Sequence, residues 1–225
     1  MLFRSLPWPQ LRESLRSMLG DAKTIAMQYS PMNNIPYVSI VDAGTVELIR
    51  SFGVEVVSSG DLVGRFEAHL SMEDWRSHQE AGAIMQMIKD ETFREVARRI
   101  ASGQHPREVE IQRFMHELMR TNNMHWEDGP IVAINEHAAD PHFEPTEENS
   151  VEMKEGDLLL LDLWAKKNEP GAIYYDITWM GFIGTEVPER ISPIFNVARD
   201  ARNAGLDMVR ERFASGTPLA GREVD

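Results

Sequence analysis

Two aspartates stand among large apolar residues in the second half of the chain. Asp162 follows the run Leu158–Leu161, and Asp176 lies between Tyr175 and Ile177. A carboxylate in such surroundings is costly unless it is paired, protonated or bound to a cation. Hard oxygen ligands suit divalent cations, which can activate water. The residues themselves leave two interpretations open: a metal-dependent hydrolase site, or strand-end acids bonded to turn amides.

The spacing of the two aspartates predicts a hairpin. Strands are expected over residues 157–164 and 172–183, the first buried on both faces, with a turn at Lys166–Gly171 between them. A turn centred on Glu169 places the two aspartates directly opposite each other, with Cβ atoms about 4.5–5.5 Å apart. Carboxylates held that close repel unless a proton or a metal neutralises them. A shift of the turn by one residue would break the direct opposition.

Other catalytic motifs are missing from the sequence. His116-Glu117 begins like a zinc-protease helix, but Arg120 stands where the second histidine should be. There is no glycine-rich nucleotide loop and no Gly-x-Ser-x-Gly elbow. The aspartate pair is therefore the strongest chemical signal in the chain.

The elements that position this pair are helices and an antiparallel sheet. A long amphipathic helix is expected from Ser71 to Gly103, and a second helix has Pro106 in its first turn. Ile131–Ile134 reads as a strand, and a last helix follows Pro193 and ends near residue 216. The fold class is therefore α/β in the broad sense (α+β), with helices packed on a mostly antiparallel sheet.

The first seventy residues predict a separate, small α/β region. A helix ends at Gly20, a strand follows over residues 23–29, and Thr45 caps a second helix that ends at Gly53. A strand over residues 54–57 completes a β-α-β order typical of a parallel pair. The expected domains are therefore residues 1–70 and 71–225.

The composition of the chain argues against some classes of function. A net charge of −13 argues against a nucleic-acid partner, because phosphate binding relies on clustered Lys and Arg. The sequence contains no run of about 18 apolar residues, so no membrane span is predicted. The chain has no cysteine, so a metal site must use His, Asp and Glu, and a reducing, cytoplasmic location is the default.

Three segments of the chain carry recognisable motifs: residues 131–146 with Asn-x-x-x-x-x-Pro-His, residues 156–162 with Gly-Asp-Leu-Leu-Leu-Leu-Asp, and residues 175–178 with Tyr-Asp-Ile-Thr. Together they resemble the pita-bread metallopeptidases, the superfamily of creatinase, prolidase, aminopeptidase P and methionine aminopeptidase. The resemblance covers residues 72–225 well. Residues 1–70 resemble the closing part of the N-terminal domain of creatinase- and prolidase-like members.

The resemblance implies a site and an activity. Asp162 and Asp176 match two aspartate ligands of a pair of divalent metal ions (Mn, Co, Zn or Fe), and His142 matches the histidine that contacts the substrate and the tetrahedral intermediate. The implied reaction is hydrolysis of a peptide, often ahead of proline, by metal-activated water in a protein that is commonly a homodimer. Creatinase-like amidine hydrolysis of a small molecule is an alternative. Thirteen residues separate the aspartates here, where the family usually has ten.

The family's remaining ligands, one histidine and two glutamates, lie beyond these strands. No histidine follows His142 here, and Glu186, Glu189, Glu211 and Glu223 read as solvated acids. The expectation is an internal fragment of a longer enzyme, with an incomplete pita-bread fold and no activity of its own. A non-catalytic binding module on the same fold, or a second polypeptide that supplies the missing half, are the alternatives.

Overall fold

A computed structural model describes residues 7–224, which divide into two compact units. The first unit ends at Glu73 and the second begins at Asp74. Among the described residues, no helix combines the length and the apolar character that crossing a membrane requires.

The first unit is a small parallel β-α-β arrangement, as its sequence predicts. Its helices and strands are α1 (Trp8–Leu19), β1 (Thr24–Met27), α2 (Ala43–Arg50), β2 (Glu55–Ser58) and α3 (Gly60–Glu67). Strands β1 and β2 pair in parallel, and the core between them and α2 contains Val46, Ile49 and Val56. The cap of α2 is Asp42, not Thr45, because the Asp42 carboxylate accepts the Thr45 N–H at 2.9 Å.

Three long helices belong to the second unit. They are α4 (Met72–Ala101), α5 (Glu108–Thr121) and α6 (Ser192–Ser215). The predicted stops of the first and last are confirmed, since Gly103 and Gly216 have positive φ angles of 78° and 65°. Helix α5 begins two residues later than predicted, which leaves Pro106 just outside it and Arg107 as its cap.

Four antiparallel strands form the sheet of this unit. They are β3 (Met124–His125), β4 (Ile131–Ile134), β5 (Leu158–Lys167) and β6 (Tyr175–Phe182), and the other three all pair with β5. The prediction for Ile131–Ile134 is confirmed, whereas β5 runs three residues further than expected and β6 starts three residues later.

Burial alternates along β5, so the expectation that it is buried on both faces was wrong. Leu159, Leu161 and Leu163 are fully buried in a core shared with Met85 of α4 and Ile111 of α5. The intervening side chains of Leu158, Leu160, Asp162 and Trp164 lie half-buried on the opposite face. The reason is that α4 and α5 cover one face only, and the face that carries Asp162 is left more open.

Candidate metal centre

The hairpin β5–β6 brings the two aspartates together in a register different from the predicted one. Asp162 pairs with Thr178, and Asp176 pairs with Trp164, so direct opposition of the two aspartates was wrong. The turn is centred on Pro170 and not on Glu169, because β5 continues to Lys167 and β6 begins only at Tyr175.

The two carboxylates nevertheless share one face of the sheet. Side chains alternate along a strand, so Asp176 lies on the same face as Thr178, two residues further on, and therefore on the face of Asp162. Residues in this diagonal relation have Cα atoms about 7–8 Å apart, within reach of a shared ligand. The hairpin therefore presents two hard oxygen donors to the same space.

The electrostatics of this pair favour a cation. The Thr178 hydroxyl donates to the Asp162 carboxylate at 2.8 Å, which orients it. The pKa of Asp176 is raised by desolvation and, second, by the negative charge of Asp162. A positive ion between the two carboxylates would remove that repulsion.

His142 opens into a small pocket beside Asp162. The pocket has a volume of about 190 Å³ and is lined by Asp128, Gly129, Ile131, Pro141, His142, Phe143, Glu144, Asp162 and Trp164. Asp176 is not among these lining residues. The structure thus brings His142 to Asp162 and Asp162 to Asp176.

The loop that carries His142 is fixed close to its start. Asn135, with a positive φ of 50°, donates to the Asp157 carboxylate at 2.9 Å and accepts the Leu158 N–H at 3.0 Å. Asp157 is 4% exposed and also accepts the Lys154 N–H at 2.8 Å. Asp157 is therefore a strand-end acid that is bonded to a turn amide and to the Asn135 side chain.

Glu108 is a buried acid that the sequence did not single out. It is 0% exposed, accepts the backbone N–H groups of Ile134 and Val151 at 2.8 and 3.1 Å, and lies 3.0 Å from Nδ1 of His137. Acidic residues are common in the first turn of a helix, where the macrodipole stabilises them. Nothing in its position along the sequence therefore distinguishes Glu108 from a helix-terminal acid.

Among the described residues, the side chains that could bind a metal ion at this site form a pair and not a larger cluster. Within residues 7–224, no three His, Asp or Glu side chains lie close enough to hold one metal ion together. Asp162 and Asp176 fit a divalent cation by donor type and by their shared face, as two ligands of a site that needs more.

Helices α4 and α5 cover one face of the antiparallel sheet, and the two aspartates and the loop of His142 lie at the other face. This arrangement is that of the pita-bread peptidase fold. More specifically, the chain belongs to metallopeptidase family M24, whose family model matches residues 78–220.

Solved structures with a similar fold include three peptidases of low sequence identity. Prolidase from Pyrococcus furiosus is 18% identical with a TM-score of 0.56, over 86% of this chain and 51% of that chain. The X-Pro aminopeptidase from Thermotoga maritima is 19% identical with a TM-score of 0.54, over 91% and 53%. The X-prolyl aminopeptidase from Caenorhabditis elegans, described as a cytosolic enzyme with a di-nuclear active site, is 17% identical with a TM-score of 0.56, over 82% and 29%.

The chain spans about half the length of the two prokaryotic structures. No curated protein matches its sequence.

Asp176→Asn is expected to stabilise the chain at neutral pH and to lose that advantage in acid. The raised pKa means that the folded state binds the Asp176 proton more tightly than the unfolded state, so stability falls as pH rises through it. Asparagine has no such proton, and its gain should vanish below the ordinary aspartate pKa of about 4. The gain should stay below about 1 kcal/mol because Asp176 is exposed. Thermal unfolding of the parent chain and of Asp176→Asn, between acid and neutral pH, measures the difference in stability. A difference that does not change with pH would contradict the raised pKa of Asp176.

Proposed function

We propose that this chain is part of a metal-dependent peptidase that removes an N-terminal residue ahead of proline. The observation that carries the proposal is the shared sheet face of Asp162 and Asp176, next to the pocket of His142, in a chain of family M24. The names of the prolidase and X-Pro aminopeptidase structures with this fold support the substrate class.

Each residue has a distinct role in this proposal. Asp162, oriented by the Thr178 hydroxyl, and Asp176 would hold divalent ions, two in number and of Mn, Co, Zn or Fe type. When bound, such ions supply water activation and polarisation of a carbonyl group. His142 would donate a hydrogen bond to the oxygen on which charge develops, as preorganised donors do in acyl transfer.

We further propose that residues 71–225 are the first half of the catalytic domain and that residues 1–70 close an N-terminal domain. The absence of a third metal donor near the pair within residues 7–224 supports this, because a metal held by two carboxylates keeps most of its water. The 225-residue chain alone should therefore bind metal weakly and cleave no Xaa-Pro peptide.

The presence of only two metal donors at the site, among the described residues, also favours a second candidate function. A non-catalytic binding module that retains the fold would need no complete donor set, which agrees with the pair found in the described residues. Creatinase-like hydrolysis of a small amidine is the alternative reaction, so substrate assays must include both substrate classes.

Calorimetric titration with Mn²⁺ tests the metal site directly. We expect a dissociation constant in the range of about 0.1–1 mM for the 225-residue chain, the affinity of the weakest oxygen-ligand calcium sites. Asp162→Asn and Asp176→Asn should each weaken binding about tenfold or more, since each removes a charged ligand. Glu169→Gln, which removes a charge from the loop of the same hairpin, is the matched control and should leave the affinity unchanged.

A dipeptide-release assay on Xaa-Pro substrates complements the titration. Rapid turnover by the 225-residue chain would show that the ligand set is wrongly identified. Equal Mn²⁺ affinity in the parent and both aspartate variants would remove the basis of the metal site, and the binding-module candidate would then be favoured.

A further inference from the structure

We propose that Glu108 is a positioning residue for His142, which it holds in place by fastening both ends of the loop over residues 135–150. The inference rests on the proposed role of His142 at the site. It concerns a residue that is not among those lining the His142 pocket.

The first step is the closure of the loop. One oxygen of the Glu108 carboxylate accepts the N–H of Ile134, the last residue before the loop, at 2.8 Å. The other oxygen accepts the N–H of Val151, the first residue after it, at 3.1 Å. A single buried carboxylate thus joins the two ends of a compact loop, and its charge strengthens both bonds.

The second step leads from this carboxylate to His142. Nδ1 of His137 lies 3.0 Å from each Glu108 oxygen, so the carboxylate favours the form of His137 that carries its proton on Nδ1. The His137 ring stacks on Phe143, with ring centroids 4.2 Å apart and planes 24° from parallel. Phe143 is 9% exposed and directly follows His142 in the chain, so its packing fixes the backbone of His142.

A glutamine at position 108 separates charge and acceptor number from side-chain shape. Its amide oxygen can accept from one end of the loop, but its NH₂ group then faces the N–H of the other end. One buried donor is left without a partner, and the bond to His137 loses its charged acceptor. Glu108→Gln should therefore loosen the loop without creating a cavity, while the bonds from Arg107 to the Ser150 carbonyl and from the backbone N–H of residue 108 to the Val151 carbonyl remain.

Hydrogen–deuterium exchange of the 225-residue chain, without metal or substrate, tests the inference. We expect amide exchange in residues 135–150 to rise at least tenfold in Glu108→Gln, while exchange in α4 and β6 stays unchanged. The imidazole NMR signals of His142 should broaden or split in the same variant. Signals of His142 that remain sharp and unmoved would overturn the proposal.

Two control variants separate positioning from general destabilisation. Glu110→Gln makes the same substitution in the same helical turn, at a carboxylate that accepts the Arg107 N–H at 2.7 Å, and should leave the loop unchanged. Ile111→Val trims a fully buried residue of α5 and lowers stability without touching the loop. If Ile111→Val broadens His142 as much as Glu108→Gln does, the role of Glu108 is merely structural and the proposal is wrong.

A further variant covers the case in which Glu108→Gln does not fold. His137→Phe keeps an aromatic ring against Phe143 but removes the bond to Glu108, and should raise exchange mainly over residues 137–143. Unchanged exchange there would contradict the second step. Asp176→Asn should leave the loop as it is, so a failed metal titration would sink the proposed function and leave this result standing.

Discussion

Leu161→Ala is expected to destabilise the chain by about 3–5 kcal/mol, near the upper end of the range for buried leucines. Leu161 is 0% exposed and lies in the middle of β5, the strand with which β3, β4 and β6 all pair. Its side chain belongs to the core that the sheet shares with α4 and α5, so its removal leaves a cavity on which the elements cannot easily close.

Leu160→Ala provides the matched control, one residue away in the same strand. Leu160 is half-buried on the face of Asp162 and packs against a smaller cluster around Phe143. Its loss should cost less than about 2 kcal/mol, because less apolar surface is removed from the interior. Urea unfolding curves of the two variants measure the difference. Equal losses would mean that both faces of β5 are equally buried, contrary to the alternation found here.

The sequence predicted the helices and strands well where the hydrophobic pattern is long or its ends carry turn formers. The helix that starts at Met72 and the helix that ends before Gly216 follow from apolar spacing and a terminal glycine. Strand Ile131–Ile134 follows from a short apolar run after a proline. In each case the local chemistry and the tertiary packing favour the same structure.

The register of the hairpin was harder to predict, for a physical reason. Several turns fit the composition of residues 166–171, and each turn sets a different pairing of Asp162. The structure settles the choice in favour of Thr178 opposite Asp162. The shared face survives because the turn centre moves by one whole residue, which shifts the pairing by two positions and preserves side-chain parity.

The role of Glu108 could not be predicted from the sequence because its hydrogen-bond partners are distant in the chain. Its bonds reach Ile134 and Val151, which are brought together only when α5 packs beside β4. Asp162 and Asp176, in contrast, stand out in sequence because they interrupt apolar strands. A carboxylate among leucines can be recognised from the amino-acid sequence alone, whereas the role of a carboxylate at the N-terminus of a helix cannot.

Gly129→Ala is expected to cost about 2–5 kcal/mol, the sum of a backbone penalty of about 1–2 and an overpacking penalty of about 1–3. Gly129 has a φ of +69°, which a residue with a Cβ adopts at a cost. A methyl group there would also lie 2.5 Å from the Trp164 ring, which lines the pocket of Asp162 and His142. The indole must move, and the wall of the pocket moves with it.

Gly171→Ala separates the two penalties. Gly171 has a φ of +77° in the loop of the β5–β6 hairpin, and a methyl group there meets nothing within 4 Å. Gly171→Ala should therefore lower the free energy of unfolding only by the backbone cost of about 1–2 kcal/mol. Urea unfolding gives the two free energies, and the indole N–H resonance of Trp164 reports the ring, which should shift in Gly129→Ala alone. Equal destabilisation with an unmoved indole would show that Trp164 does not pack against Gly129, and that the aromatic wall beside Asp162 is not set by this contact.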